Sequence, residues 1–231
     1  MAISCIRMKT AVILGAGDFP RKAFPRYLLG SASHIVCCDG AFARYLSNMQ
    51  SVFGGERLPD AVVGDMDSIP PRLFNGYRGL MHKVDEQEEN DQTKALRYVM
   101  GHFPDVDAIH ILGATGKRED HTIGNLSLLM EYARSMGLDG LGAPGRPSVD
   151  VVSDTCTAFA VTDTVTLEVG EGRKISIFSP DNSLKITSKG LHWKTDDVVF
   201  DNWWKATLNR ADEDTVTLEF SHPSVALIIL D

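Results

Sequence analysis

Two aspartates separated by one residue stand in Gly64-Asp65-Met66-Asp67-Ser68, directly after the apolar run Ala61 to Val63. In an extended backbone, side chains two residues apart project to the same side. Both carboxylates would then converge on one point as a strand ends. Such a pair repels itself unless a cation or a proton lies between, and Mg²⁺ with phosphate oxygens is the natural cation. The same segment could instead be a solvated turn with helix-capping carboxylates.

A second acidic group follows in Asp85-Glu86-Gln87-Glu88-Glu89-Asn90-Asp91, ahead of Thr93-Lys94-Ala95-Leu96. Charge runs are usually solvated surface, and Asn90 or Asp91 could cap the next helix. Asp91 differs from Glu86, Glu88 and Glu89 because a carboxylate in a first helical turn is rigidly held and could complete a metal site with Asp65 and Asp67.

Glycine supplies the third chemistry. Gly113-Ala-Thr-Gly116-Lys117-Arg118-Glu119-Asp120-His121-Thr122 joins a glycine loop to a helix start, with Asn125 one turn further on. Glycines let backbone N–H groups approach phosphate oxygens, a helix N-terminus favours an anion, and Arg118 can grip phosphate in a bidentate fork. No Gly-Lys-Ser/Thr closes the loop, so it is not a Walker A motif. His121 could act as a general base or simply hydrogen-bond at the helix start. A further loop, Gly15-Ala16-Gly17, follows a strand but has Pro20 where a dinucleotide fingerprint needs glycine. A nucleotide could still lie against Gly15, Gly17 and Asp39.

These residues need a frame to hold them. Ala11 to Leu14, Ile35 to Cys38, Ala61 to Val63 and Ile109 to Leu112 read as strands buried on both faces, while Asp91 to Phe103 and Thr122 to Met136 carry the helical period. Alternating strand and helix predicts a mainly parallel, Rossmann-like sheet in an α/β N-terminal domain. In such sheets ligands bind beyond the carboxyl ends of the strands, where the glycines and acids cluster. Residues 137–147 are rich in turn formers and mark a loop near a boundary. Beyond it, alternating segments at Val165 to Val169, Lys174 to Phe178, Thr215 to Phe220 and Ser224 to Leu230 predict a C-terminal all-β sandwich or barrel. Val149 to Val152 could finish the first sheet or begin the second domain. The boundary is placed just after it, giving domains 1–153 and 154–231.

Composition narrows the function classes. A net charge of −8 argues against a nucleic-acid or anionic-membrane partner, since both need a cationic surface. No apolar run approaches the roughly 20 residues that cross a bilayer. Residues 1–10 carry Arg7 and Lys9 without the apolar core of a secretion signal, so a cytoplasmic location is expected. Cys5, Cys37, Cys38 and Cys156 form no C-x-x-C pair and read as reduced thiols.

Taken in order, Asp39-Gly40, Gly64-Asp65-Met66-Asp67-Ser68, Gln87 with Asp91 and Thr93-Lys94, Gly113-Ala-Thr-Gly116-x-Arg118-x-Asp120-His121, and Gly190-Leu191-His192-Trp193 resemble the thiamine pyrophosphokinases. The resemblance runs from about residue 11 to the C-terminus. It implies an ATP-handling α/β domain, a C-terminal β-sandwich domain for thiamine and dimerisation, and a homodimer with active sites at the subunit interface. It implies transfer of the pyrophosphoryl group of ATP to the hydroxyl of thiamine, giving thiamine diphosphate and AMP. By position, Asp65, Asp67 and Asp91 match the magnesium-binding acids. Asp39, Gly40, Gly116, Arg118, Asp120 and His121 fall in the ATP and phosphate region, with Gly15 and Gly17, and Arg118 joins the three acids in catalysis. Gln87, Trp193 and Asn209 match thiamine positions. The usual Ser-Asn pair reads Leu208-Asn209 here, which leaves Thr207 to supply a hydroxyl. The usual Asp-Gln-Asp-x-Thr-Asp reads Glu86-Gln87-Glu88-Glu89-Asn90-Asp91, and Lys117 stands where glycine is common. Trp193 could stack on thiamine's rings or serve as sandwich core, with Trp203 and Trp204 as substitutes.

Two other functions fit parts of the pattern. Asp65-Met66-Asp67 is also the Asp-x-Asp metal motif of nucleotide-sugar transferases, and a nucleotide-binding regulatory module without turnover would accommodate the altered acids.

Overall fold

A computed structural model describes residues 8–231; Cys5 and Arg7 lie outside the described residues. The chain forms two compact units. The first runs to Asn125 and includes Gly142–Ser148 and Val152–Asp154. The second comprises Leu126–Leu141, Val149–Val151 and Thr155–Asp231.

In the first unit, strands β1 (Thr10–Leu14), β2 (His34–Cys38), β3 (Ala61–Gly64), β4 (Met81–Lys83) and β5 (Ala108–Leu112) form a parallel sheet. Their order is β5-β1-β2-β3-β4. The order reverses at β1, and the loops after β1 and β5 therefore emerge side by side. Ile13 of β1 sits opposite Val36 on one side and Ile111 on the other. The continuous apolar runs are buried because helices pack against the sheet, and the four expected strands form, each one residue longer than read from the sequence.

The helices are α1 (Ala23–Ser31), α2 (Asp39–Phe53), the short α3 (Pro71–Gly76), α4 (Asp91–His102) and α5 (Glu119–Glu131), the last divided between the units. Val12, Leu14, Ile35, Cys37, Phe42, Tyr45 and Val62 share one core. Burial pushes the Cys37 thiol well up, consistent with a packing residue. The helix expected over Thr122 to Met136 starts earlier, at Glu119, and its last stretch, Tyr132–Met136, widens into a π turn ended by Gly137 in the left-handed conformation.

The remaining strands are β6 (Ser148–Val152), whose residues are shared between the units, β7 (Thr157–Val161), β8 (Val165–Glu168), β9 (Lys174–Phe178), β10 (Ile186–Lys189), β11 (Asn209–Arg210), β12 (Thr215–Phe220) and β13 (Ala226–Leu230). In the second unit β7, β13, β9 and β11 pair antiparallel in that order, and β10, β12 and β8 form a separate antiparallel sheet. Val161, Ile177 and Ile228 from the first group meet Leu167, Ile186 and Val216 from the second in one core. Strict alternation of buried and exposed residues along β8 and β10 follows from having one wet face. The expected sandwich is therefore observed.

Candidate active site

Asp39 opens α2 where β2 ends and is 2% exposed. Its Oδ1 accepts the Gly40 N–H, and its Oδ2 accepts the Met66 N–H at 3.0 Å. Gly64 makes this possible, since a Cβ there would stand 2.7 Å from the Asp39 carboxyl carbon. Burial, then the Asp91 carboxylate, push the Asp39 carboxyl up to about 6. Burial also raises Asp91, against the pull of Lys94. Asp65 is held low, chiefly by the N–H of Asp67, which donates to Asp65 Oδ1 at 3.0 Å. Asp39, Asp65 and Asp91 thus act on one another electrostatically, with Lys94, only 5% exposed, as their nearby cation.

One expectation is corrected here. The run Asp65 to Asp67 is not extended: Met66 has φ 72°, and the chain turns with the Asp65 side chain capping the Asp67 N–H. The two carboxylates are consequently not parallel neighbours on a strand face, and the Asp67 side chain points to solvent. A non-glycine residue at positive φ stores of order 1 kcal/mol and often sits at a functional turn. The bond from Met66 N–H to buried Asp39 secures it.

Among the described residues no group of three or more His, Cys, Asp or Glu side chains stands in metal-holding geometry. The donor chemistry nonetheless fits a hard divalent cation: crowded carboxylates, two of them raised by burial, with buried Lys94 and exposed Lys83 as the lysines that act on them.

The two glycine loops lie against each other. Gly15, Gly17 and Asp18 donate their N–H groups to Leu112, Gly113 and Thr115 carbonyls, each at 2.7 Å. A Cβ at Gly17 would be 2.3 Å from the Thr115 oxygen. Close backbone approach between the loops is therefore one reason for these glycines, and the amides of Gly15 and Gly17 are occupied by it. Arg118 forks onto Asp120, and Asp120 Oδ1 also accepts the His121 N–H at 2.9 Å. Arg118, Asp120 and His121 are exposed at the start of α5. The Asn125 side chain donates to Ala114 O at 2.8 Å and accepts from Asn90 at 3.0 Å, tying this loop to the start of α4.

Asn90 caps α4 by accepting the Thr93 N–H at 3.0 Å. In the acidic run, Glu86 accepts the Glu88 and Glu89 N–H groups and Glu89 forks onto Arg97, so both serve local structure. Gln87 is exposed, with its amide 3.5 Å from Asp85 O, and its side chain helps hold Asp65 low.

In the second unit Trp193, Trp203, Trp204 and Leu208 are exposed, so none of the three tryptophans is sandwich core. Leu208 has φ 57° and donates its N–H to Ser176 Oγ at 3.0 Å. The Thr207 hydroxyl donates to Trp204 O at 2.7 Å. Asn209 is buried, and its amide bonds the Trp193 backbone.

Residues 25–138 match the thiamin pyrophosphokinase catalytic domain, and residues 157–224 match the thiamin pyrophosphokinase substrate-binding domain. The chain belongs to the thiamin pyrophosphokinase family. Thiamine pyrophosphokinase 1 of Oryza sativa subsp. japonica is 28% identical to it across 90% of this chain and 82% of that protein. Among solved structures, thiamin pyrophosphokinase from Candida albicans superposes with a TM-score of 0.73 at 17% identity, covering 96% of this chain and 88% of that one. The Geobacillus thermodenitrificans thiamin pyrophosphokinase superposes at 0.70 with 20% identity, covering 96% and 97%. At these identities the structural likeness speaks for the fold. Membership does not favour the nucleotide-sugar transferase reading.

Lys94 is a residue that sequence reasoning left without a role. Lys94 lies three residues after Asp91, the spacing that puts two side chains on one helical face, so its place beside the acids was readable. Asn90 was visible as a possible cap, but not its link to Asn125.

Proposed function

We propose that this chain transfers the pyrophosphoryl group of ATP to the hydroxyl of thiamine, giving thiamine diphosphate and AMP, with magnesium held by Asp65, Asp67 and Asp91. The observation that carries this reading is the mutually coupled set Asp39, Asp65 and Asp91 around buried Lys94 at the carboxyl ends of β2 and β3, in a chain of this family. Bound magnesium would neutralise charge on the phosphate oxygens. Transfers at phosphorus depend chiefly on positioning and charge neutralisation, so these residues need no strong base.

Asp39 has a positioning task, fixing the Met66 turn and with it Asp65. Lys94 offsets the repulsion among the acids and opposes the upward push that burial exerts on the Asp91 carboxyl. Arg118 is exposed and already paired with Asp120, an exchangeable partner that a phosphate can replace. ATP is placed along Asp39, Gly40, Gly116, Arg118, Asp120 and His121, and thiamine at Gln87, Trp193 and Thr207. The active protein is a cytoplasmic homodimer with its active sites at the subunit interface. No helix among the described residues is long and apolar enough to cross a membrane.

The test measures AMP formed from ATP with and without thiamine, alongside sedimentation to give the assembly mass. Thiamine-dependent AMP release and a mass of two chains are expected. Asp65→Asn and Asp91→Asn should each lower turnover by about 100-fold or more, the usual scale for a lost electrostatic contact in the transition state, and Asp67→Asn should lower it too. Near wild-type turnover in all three variants at saturating magnesium would refute the metal assignment.

A further inference from the structure

Trp193 exposes 57% of its surface, yet its backbone is held from both sides. Its N–H donates to Asn209 Oδ1 at 3.1 Å, and its carbonyl accepts from Asn209 Nδ2 at 2.6 Å. The same Oδ1 accepts the Arg210 N–H at 2.9 Å. A side-chain amide oxygen has two acceptor positions, and both are filled by backbone. Asn209 is 5% exposed and opens β11, where it lies opposite Ile175 of β9. Its neighbour Leu208, in the left-handed conformation, turns its own side chain outward to 75% exposure.

The indole has a second restraint. The His192 ring meets it edge-on, with centroids 4.5 Å apart and planes at 86°. His192 Nδ1 is 2.9 Å from Asp212 Oδ2, and Arg210 reaches both His192 and Asp212. An exposed aromatic fixed in this way loses less freedom when a flat ligand packs on it, and so gives tighter binding for the same contact area.

We propose that Asn209 is a positioning residue: it does not touch thiamine but clamps the Trp193 backbone, so that the indole, braced by His192, presents one fixed face to thiamine's rings. This rests on the reading of Trp193 as a thiamine contact. A thiamine donor could reach Asn209 Oδ1 only by displacing the Trp193 or Arg210 N–H and leaving that backbone group unpaired, and the second Nδ2 N–H belongs to a residue that is only 5% exposed. An unpaired buried backbone group is strongly disfavoured.

The experiment is a double-mutant cycle on thiamine kinetics with a spectroscopic readout. N209A should raise the KM for thiamine by about tenfold while kcat and the KM for ATP stay within about twofold. In a W203F/W204F background, where Trp193 is the sole indole, N209A should lower fluorescence anisotropy without any ligand. N209S keeps one short polar group that can serve the Trp193 backbone only in part and brings no charge, so it should fall between, and it carries the test if N209A does not fold. In a W193A background N209A should add less than about a twofold change. An undiminished effect of N209A on that background, or unchanged anisotropy, overturns the proposal while the thiamine role of Trp193 stands. Unaltered thiamine KM in W193A itself refutes the Trp193 reading and this proposal with it.

Discussion

Asp39 is the residue on which the candidate site turns, because it is buried, bonded to two backbone N–H groups and still raised to about 6. Hydrogen bonds from N–H groups favour the charged form, so desolvation and the Asp91 charge outweigh them. The sign of the consequence follows by linkage. An unfolded aspartate titrates near about 3.9, so between about pH 4 and 6 the folded chain holds a proton that the unfolded chain has lost. Stability from this group therefore falls as pH rises through that window, and the loss is complete above it. Asp39→Asn removes the titration. The difference in unfolding free energy between wild type and D39N should shrink, to the disadvantage of wild type, by on the order of 1–3 kcal/mol from pH 4 to 7. Urea unfolding at a series of pH values without divalent metal measures it, and a flat difference would show that Asp39 is not raised. None of this coupling is legible in Asp39-Gly40 as letters, since it depends on Gly64 leaving room for the carboxyl from a strand away.

At the scale of the element, α4 carries the most chemistry per turn: Asp91 at its first position and Lys94 one turn on, both brought to the ends of β2 and β3. Its start is fixed by Asn90, whose side chain also reaches Asn125. Replacing an N-cap asparagine by alanine typically costs about 1 kcal/mol. Asn90→Ala should accordingly lower unfolding free energy by about that amount and also reduce AMP formation, whereas Glu88→Ala, on exposed surface in the same run, should leave both near wild type. Equal activity in N90A and wild type would mean that the cap does not position Asp91. The helix itself was readable from its apolar period, as were β1, β2, β3 and β5, because long apolar runs have few other homes. β4 was not, being a three-residue edge strand that reads Met81-His82-Lys83. The turn at Met66 was also hidden, since nothing in a methionine between two aspartates announces positive φ. The glycine loops were legible as a pattern but not in purpose: a cradle for phosphate and a close contact between two loops call for the same residue.

At the scale of the whole molecule, the chain does not pass once from one unit to the other. Residues Leu126–Leu141 and Val149–Val151 belong with the β sandwich, although they precede its first full strand in sequence. The segment is bonded there: Gly140 N–H donates to Ala160 O on β7 at 2.8 Å, and Val149 N–H donates to Asp139 O at 2.8 Å. Ala133 and Arg134 line a cavity together with Thr162, Pro180, Asp181, Ser224 and Val225. Near it, Asp181 receives bonds from Ser183, Ser224 and His222, which hold its carboxyl far below the usual range and brace the two sandwich loops. A cut in the turn-rich stretch or just after residue 153 therefore strips β7 of a neighbour it hydrogen-bonds in the intact protein. A fragment spanning 126–231 should unfold cooperatively by circular dichroism, and one spanning 154–231 should melt lower and less cooperatively, because the exposed face of β7 loses both its backbone partner and its cover. Equal melting of the two fragments would show that the sandwich is complete from residue 154 and that the preceding segment is only a connection.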